Sequence, residues 1–182
     1  MKKSIVDFLS KVPDTRRQAG KRHDQELILL IVLMAIMSGY YGYRAIGDFI
    51  DRNRTDLLAN LKPLKDRLPT FFTVRRVLIG LDYDEFAKQF YHWSKSYIEI
   101  EPWEWLSVDG KAIGGTAKGK NSYQDFVNMV SIFVSRQKMV LTNGKIINSK
   151  ESEIPMVRQL IKALDLTGVV FTLDALHCQK KQ

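Results

Sequence analysis

The sequence predicts an α+β protein, with an all-helical front half and a back half in which strands and one helix alternate. Apolar residues recur at helical spacing through most of the first hundred positions, whereas from Glu101 the pattern changes to the alternation and short apolar runs of strands. With 182 residues, of which 45% are hydrophobic and 26% charged, the chain has the composition of a globular protein. We therefore expect two domains, one over 1–100 and one over 101–182.

Repeated helix starts and stops divide the front half. The apolar run from Leu27 to Met37, which Asp24 can cap, is too short to span a bilayer and predicts a buried helix in a bundle. A second helical pattern over 43–60 is interrupted by the polar run DRNRTD. Beyond Pro69 we expect two more helices, separated near 80–84, which form either a DNA-binding helix-turn-helix or an ordinary helical hairpin.

The back half predicts the order strand, strand, strand, helix, strand. The first strand, in WEWLSVDG, ends at Asp109; two further strands, a helix over 153–164 and a buried strand over 169–174 follow. A crossover helix places the strand after it parallel to an earlier one, so we expect the last strand to lie parallel to the first. Each of these two strands then ends on an aspartate, Asp109 or Asp174.

This strand order suggests a metal site. If the two strands are adjacent, Asp109 and Asp174 lie at the same end of the sheet, where ligands bind in open α/β folds. Mg²⁺ takes oxygen ligands, and a two-metal site for phosphoryl transfer holds its ions about 3.5–4 Å apart. The alternative is that each aspartate only caps a turn.

The charge balance favours a polyanionic partner such as DNA. Twenty-eight Lys and Arg against twenty Asp and Glu leave a net charge of +8. Nine basic side chains in three groups are candidate phosphate contacts: Arg16, Arg17, Lys21 and Arg22 before the apolar run, Arg75 and Arg76 on the first of the two later helices, and Lys111, Lys118 and Lys120 in the glycine-rich loop after Asp109. For each group the alternative is a solvated surface.

Other features restrict the class of protein. The single cysteine, Cys178, permits no internal disulfide and suits a cytoplasmic protein, and one Cys with three His builds no zinc site. We identify no secretory signal or membrane span, so we expect no membrane partner. We expect Trp103 and Trp105 to pack at the domain junction.

Several blocks together resemble a known family. The segments VDGKAIGG, SKESEIP and FTLDALHCQK resemble blocks of DDE transposases from bacterial insertion sequences, in the ISAs-type, H-repeat-associated group. The front segment DTRRQAGKRHDQELILLIVLMAIMSGYYGYRAIGDF resembles the N-terminal associated domain of that group. The resemblance covers almost the whole chain in the order of the family. It implies an RNase H-like catalytic domain with three carboxylates that uses Mg²⁺ or Mn²⁺ to cut and join DNA at transposon ends.

Position by position, the resemblance implies that Asp109 is the first catalytic, metal-binding aspartate and Asp174 the second. The third acid of the family, a glutamate on a later helix, has no position in this sequence, because Glu153 falls in an earlier block. That block departs from the family at Glu151 and Ser152, where Ser and Asn are usual.

We therefore expect a chain truncated before the third acid, with an incomplete RNase H-like domain and little or no strand cleavage of its own. The alternative is a non-catalytic remnant that binds DNA, binds full-length transposase or self-associates. Such a sheet leaves apolar side chains over 169–173 without their usual cover, so we also expect the back half to be the less stable one.

Overall fold

The computed structural model describes residues 4–113, 116, 127–147 and 153–174. The chain divides into two compact units, Lys3–Gln89 and Phe90–Gln182. Helices make up the first unit and a four-stranded sheet organises the second, which confirms the α+β class. The expected domain boundary between residues 100 and 101 stays a prediction.

Six α-helices cover most of the first unit, the last of them continuing into the second. They are α1 (Ile5–Leu9), α2 (Gln25–Met37), α3 (Tyr43–Arg52), α4 (Arg54–Leu61), α5 (Phe71–Ile79) and α6 (Tyr83–Ser94), with short 3₁₀ helices at Gln18–Gly20 and Leu64–Asp66. The break between α3 and α4 falls at Asn53, inside the polar run expected to interrupt the helix. The two helices expected beyond Pro69 are also confirmed.

Local chemistry sets several helix ends. Ser4 and Asp7 form a capping box on α1, and the Asp82 carboxylate accepts the backbone N–H groups of Asp84 and Glu85 at the start of α6. Asp24 occupies the N-cap position of α2, but its side chain makes no capping hydrogen bond.

Helix α2 supplies much of the apolar core of the helical unit. Ile28, Ile31 and Ala35 are fully buried, and the helix packs against α1, α3 and α5. This burial fits the expectation of a central helix in a bundle. Within the described ranges, no helix is both long enough and apolar enough to cross a membrane.

Helices α3 and α5 pack closely because Gly47 has no side chain. A Cβ atom added at Gly47 would lie 2.9 Å from the Cβ of Phe71, which is closer than Cβ contacts normally come. One turn earlier on α3, the Tyr43 ring lies 5.9 Å from the guanidinium carbon of Arg75, one turn later on α5. The two contacts show that these helices run antiparallel.

The second unit contains a mixed sheet. Its elements are β1 (Trp105–Ile113), β2 (Val127–Val134), β3 (Met139–Ile147), α7 (Glu153–Leu164) and β4 (Val170–Thr172), and the strand order is β3-β2-β1-β4. The β1–β2 and β2–β3 pairs are antiparallel, whereas β1 and β4 are parallel. The predicted element order, the bounds of α7 and the parallel first and last strands are confirmed.

Two strand lengths correct the prediction. Strand β1 continues four residues past Asp109, because β2 pairs with it as far as Ile113. Asp109 is therefore within a strand rather than at its end, and Lys111 is in β1 rather than in a loop. Strand β4 has three residues instead of the six over 169–174, and it is half-buried because it pairs with β1 alone, at the edge of the sheet.

One face of the sheet carries the core of this unit. Leu106, Val130, Ile132 and Val134 are fully buried there, together with Val157 from α7. On the other face, alternate β1 residues remain accessible to solvent.

The expectation that Trp103 and Trp105 pack is wrong. Trp105 is 58% exposed because it alternates with the buried Leu106 and so lies on the accessible face of β1. Trp103, in the turn before the strand, is 75% exposed.

Candidate functional site

Asp109 lies on the accessible face of the sheet. It is exposed between the buried Val108 and the exposed Gly110, and it pairs with Ser131 on β2. Since side chains alternate along a strand, Ser107 and Lys111 share its face. The backbone of Asp109 is thus fixed by a sheet partner while its carboxylate remains accessible.

Asp174 lies two residues beyond the end of β4 and is also exposed. The parallel register pairs Trp105 with Val170 and, as its last pair, Ser107 with Thr172. Asp109 and Asp174 each follow that last pair by two residues on neighbouring parallel strands. Counted from the last pair, the two aspartates therefore stand at equivalent positions along the two segments.

A hydroxyl cluster lies beside these positions. The Thr172 hydroxyl donates to the Ser107 hydroxyl over 3.1 Å, and the hydroxyls of Ser107 and Ser135 are 3.1 Å apart. This cluster was not predicted from the sequence. A signal was present, because Ser107-Val108-Asp109 and Thr172-Leu173-Asp174 share the pattern hydroxyl, apolar, aspartate.

The carboxylates and the hydroxyl cluster supply some of the oxygen ligands that a hard cation requires. Carboxylate and hydroxyl oxygens are donors that Mg²⁺ and Mn²⁺ accept. In the part of the chain that the structure describes, no three His, Cys, Asp or Glu side chains come together as a metal-binding group. Asp109 and Asp174 would hold such an ion only with further ligands, such as water.

The first basic group divides into structural and solvent-facing members. The Arg16 guanidinium donates to the Asp14 carboxylate at 2.8 and 2.9 Å and to the His23 carbonyl at 2.9 Å, and the Arg16 side chain is only 10% exposed. Lys21 also lies 3.7 Å from the Asp14 carboxylate. The hydrogen bond from Arg16, the largest effect, lowers the pKa of Asp14.

Each of the three basic groups has members that are exposed to solvent. Arg17 and Arg22 are exposed in the loop, as are Arg75 and Arg76 on α5 and Lys111 on β1. Lys118 and Lys120 lie outside the described residues. That any of these side chains binds nucleic acid stays a prediction.

Comparison with known proteins gives one family. The family described as DDE_Tnp_1-associated matches residues 6–94. The protein named "Putative transposase YncI" of Escherichia coli O157:H7 is 32% identical over 178 residues, which are 97% of this chain and 45% of that protein. Its namesake in strain K12 is also 32% identical over 178 residues, with 97% of this chain and 70% of that protein covered.

A further relative carries the name of the group. "H repeat-associated putative transposase YbfD" of strain K12 is 27% identical over 178 residues, covering 98% of this chain and 69% of that protein. The chain thus spans less than half the length of the O157:H7 relative and about two thirds of the two K12 proteins. The likeness runs through both units.

Proposed function

This chain belongs to the H-repeat-associated group of DDE transposases from bacterial insertion sequences, and we propose that it supplies DNA binding and two metal-binding carboxylates to transposition. The helical unit would bind transposon-end DNA, and Asp109 and Asp174 would belong to the site of strand cleavage and joining. The observation that carries this proposal is the parallel register of β1 and β4, in which both aspartates follow the last pair by two residues.

We propose that the catalytic unit is RNase H-like. Its support is the sheet order β3-β2-β1-β4, with a crossover helix leading into a strand parallel to β1. In this site, bound Mg²⁺ or Mn²⁺ would activate the attacking oxygen and stabilise the leaving oxygen of a phosphodiester.

The two carboxylates would be positioned by different means. Asp109 is in a strand with partners on β2, whereas Asp174 follows an edge strand that pairs only with β1. The hydrogen bond from Thr172 to Ser107 ties the two strands together next to the aspartates. On the accessible face, Lys111 would lie beside the DNA phosphates that reach the site.

Metal binding tests the site without relying on cleavage. Titration with Mn²⁺, followed by electron paramagnetic resonance, should show binding that Asp109→Asn and Asp174→Asn each weaken at least about tenfold. Asp165→Asn is the matched control, because Asp165 is an exposed aspartate of the same unit that follows α7. Equal Mn²⁺ affinity in all four proteins would overturn the proposed site.

Strand cleavage by this chain should be weak. The three-carboxylate site that the resemblance implies has two members among these 182 residues, and two carboxylates alone do not hold the two-metal geometry. Terminal-repeat DNA incubated with the protein and Mg²⁺ or Mn²⁺ should show little or no nicking. Robust nicking that Asp109→Ala abolishes would contradict this expectation.

A second candidate function is DNA binding without chemistry, alone or with a full-length transposase. It is favoured by the compact helical unit Lys3–Gln89, which the family match at 6–94 covers almost completely. Affinity for duplex DNA should fall steeply with salt concentration, because each neutralised phosphate releases counterions. DNA binding without Mn²⁺ binding would select this second function, and absence of DNA binding at low salt would exclude both.

A further inference from the structure

Helices α3 and α5, together with the turn before α3, expose an unusual set of side chains, which we call the aromatic–arginine surface. Its three aromatic members are Tyr41, Tyr43 and Phe72, with exposed fractions of 73%, 38% and 69%. Its three cationic members, Arg44, Arg75 and Arg76, are all exposed.

These residues share one surface because of the antiparallel packing of α3 and α5. Phe72, Arg75 and Arg76 are three and four positions apart, so they lie on one side of α5. Arg75 lies over the ring of Tyr43, and Arg44 and Phe72 line the same cleft of about 500 Å³.

Two of the three aromatic rings, those of Phe72 and Tyr43, contact neighbouring side chains while remaining accessible. Phe72 stacks on Phe71 with ring centres 3.9 Å apart and planes inclined by 30°. The Arg75 guanidinium carbon is 5.9 Å from the centre of the Tyr43 ring, within the range of a cation–π contact. A planar group that stacks on these rings therefore requires little reordering of their side chains.

The charges indicate the class of partner. Arg44 and Arg76 make no ion pair within the described ranges, so their charges are available. Asp48 and Asp51 line the same cleft as Phe72. Both aspartates lie farther along α3 and away from Arg75, so the positive charge is concentrated at the Tyr43 end of the surface. A second copy of this surface would bring arginines against arginines, whereas a polyanion complements them.

We infer that the aromatic–arginine surface binds unpaired bases of DNA, which stack on Phe72 and the two tyrosines while the arginines contact the adjoining phosphates. Stacked bases inside a duplex do not offer their faces to a protein ring, but a single-stranded flank or an opened end does. Stacking with backbone contacts tolerates any base sequence. The inference rests on the proposed DNA binding and names the form of DNA that this unit prefers.

The test compares two DNAs with the full chain. Fluorescence anisotropy measures its affinity for a blunt duplex and for the same duplex with a short oligothymidine overhang. The overhang should raise affinity about tenfold, in the range that base stacking on aromatic residues contributes. Phe72→Ala should remove this gain and leave blunt-duplex affinity unchanged, whereas Phe72→Tyr should retain the gain.

Leu64→Ala is the matched control, because Leu64 is a 72% exposed apolar residue of the same unit outside this surface. Far-UV circular dichroism of each variant verifies its fold. Equal affinity for the two DNAs, or an equal loss of affinity for both with Phe72→Ala, overturns the inference but does not contradict the proposed DNA binding. Absence of binding to either DNA overturns the proposed function as well.

Two other outcomes would also overturn the inference. One is self-association in sedimentation that Phe72→Ala abolishes, which would make this surface a protein interface. The other is Phe72-dependent binding to lipid vesicles with unchanged affinity for overhang DNA.

Discussion

Asp14 and Arg16 organise the loop before α2 through a two-point ion pair. The guanidinium donates to both carboxylate oxygens and also to the carbonyl of His23, seven residues on. Both side chains are largely buried, at 10% and 22% exposure, so their interaction is less screened than that of a surface pair. Arg16 thus orders the basic loop, and its neighbours Arg17 and Arg22 face the solvent.

This ion pair makes the stability of the helical unit depend on pH. Because the pKa of Asp14 is lower in the folded chain than its usual value of 3.8, the pair stabilises the fold above that value. The stabilisation should be lost as the pH falls through the lowered pKa. Asp14→Asn should lower the free energy of unfolding by about 1–2 kcal/mol at pH 7, measured by urea unfolding. The free energy of unfolding of this variant should also fall less steeply at acid pH than that of the parent. An equally steep fall in both proteins would show that Asp14 does not cause this pH dependence.

Two glycines allow a matched test of packing. A Cβ at Gly47 would meet the Cβ of Phe71 at 2.9 Å, whereas at Gly144 it would meet the side-chain ends of Met156 and Leu160 at 3.0 and 3.3 Å. The Phe71 Cβ cannot move without its backbone, but flexible side-chain ends can. Gly47→Ala should therefore destabilise by about 1–3 kcal/mol despite the helical preference of alanine.

Gly144→Ala, in β3, should lower the free energy of unfolding by less than Gly47→Ala does. The midpoint and slope of urea unfolding measure both variants. A larger loss for Gly144→Ala would show that the contact between α3 and α5 is more adaptable than the Gly47–Phe71 distance indicates.

Among the secondary-structure elements, β1 and β4 carry the proposed metal site. Their register depends on three residue pairs and on the hydroxyl contact between Ser107 and Thr172. Thr172→Val replaces this hydroxyl with a methyl group and keeps the β-branched shape that strands favour. The variant should reduce Mn²⁺ affinity about tenfold, as the loss of an outer-shell contact does, while the sheet remains folded.

Thr172→Ser is the control for this prediction, because it retains the hydroxyl that donates to Ser107. Mn²⁺ titration compares the two variants with the parent, and circular dichroism verifies the sheet. If Thr172→Val binds Mn²⁺ as the parent does, the hydroxyl contact has no part in holding the two strands in register for the site.

The local sequence pattern predicted the bounds of α7 but not the lengths of β1 and β4. The apolar spacing over 153–164 gave the bounds of α7, because an amphipathic helix is encoded by its own residues. The length of β1 depends on a partner more than a dozen residues away, and Gly110, Lys111 and Ala112 have little strand preference of their own. Strand β4 ends at Thr172 although its partner β1 continues six residues past the last pair, so the length of β1 does not set the length of β4.

The candidate sites show the same division. Asp109 and Asp174 could be predicted as metal ligands because each follows an apolar run that is typical of a strand. The pairing of Ser107 with Thr172 depends on register, which a single strand does not specify. The contact of Arg75 with Tyr43 joins residues from two helices and requires their antiparallel packing. Tertiary contacts of this kind cannot be derived from local spacing.

At the scale of the whole chain, the two compact units bury their apolar residues differently. The helical unit packs α2 among α1, α3 and α5, with Ile28, Ile31 and Ala35 fully buried. The sheet unit has a half-buried edge strand and an accessible face that includes the 58% exposed Trp105. Because β4 is half-buried and pairs with β1 through only three residue pairs, we expect the sheet unit to unfold first.

The distribution of tryptophan allows this order to be measured in the intact chain. All three tryptophans, Trp93, Trp103 and Trp105, belong to the unit Phe90–Gln182, whereas α1 to α5 belong wholly to Lys3–Gln89. On heating, tryptophan fluorescence should change at a lower temperature than the helical circular dichroism signal. Trp103→Phe should leave this difference unchanged, because Trp103 is 75% exposed and contributes little packing. Coincident transitions by both probes would show that the two units unfold together, against the expectation that the sheet is the weaker of the two.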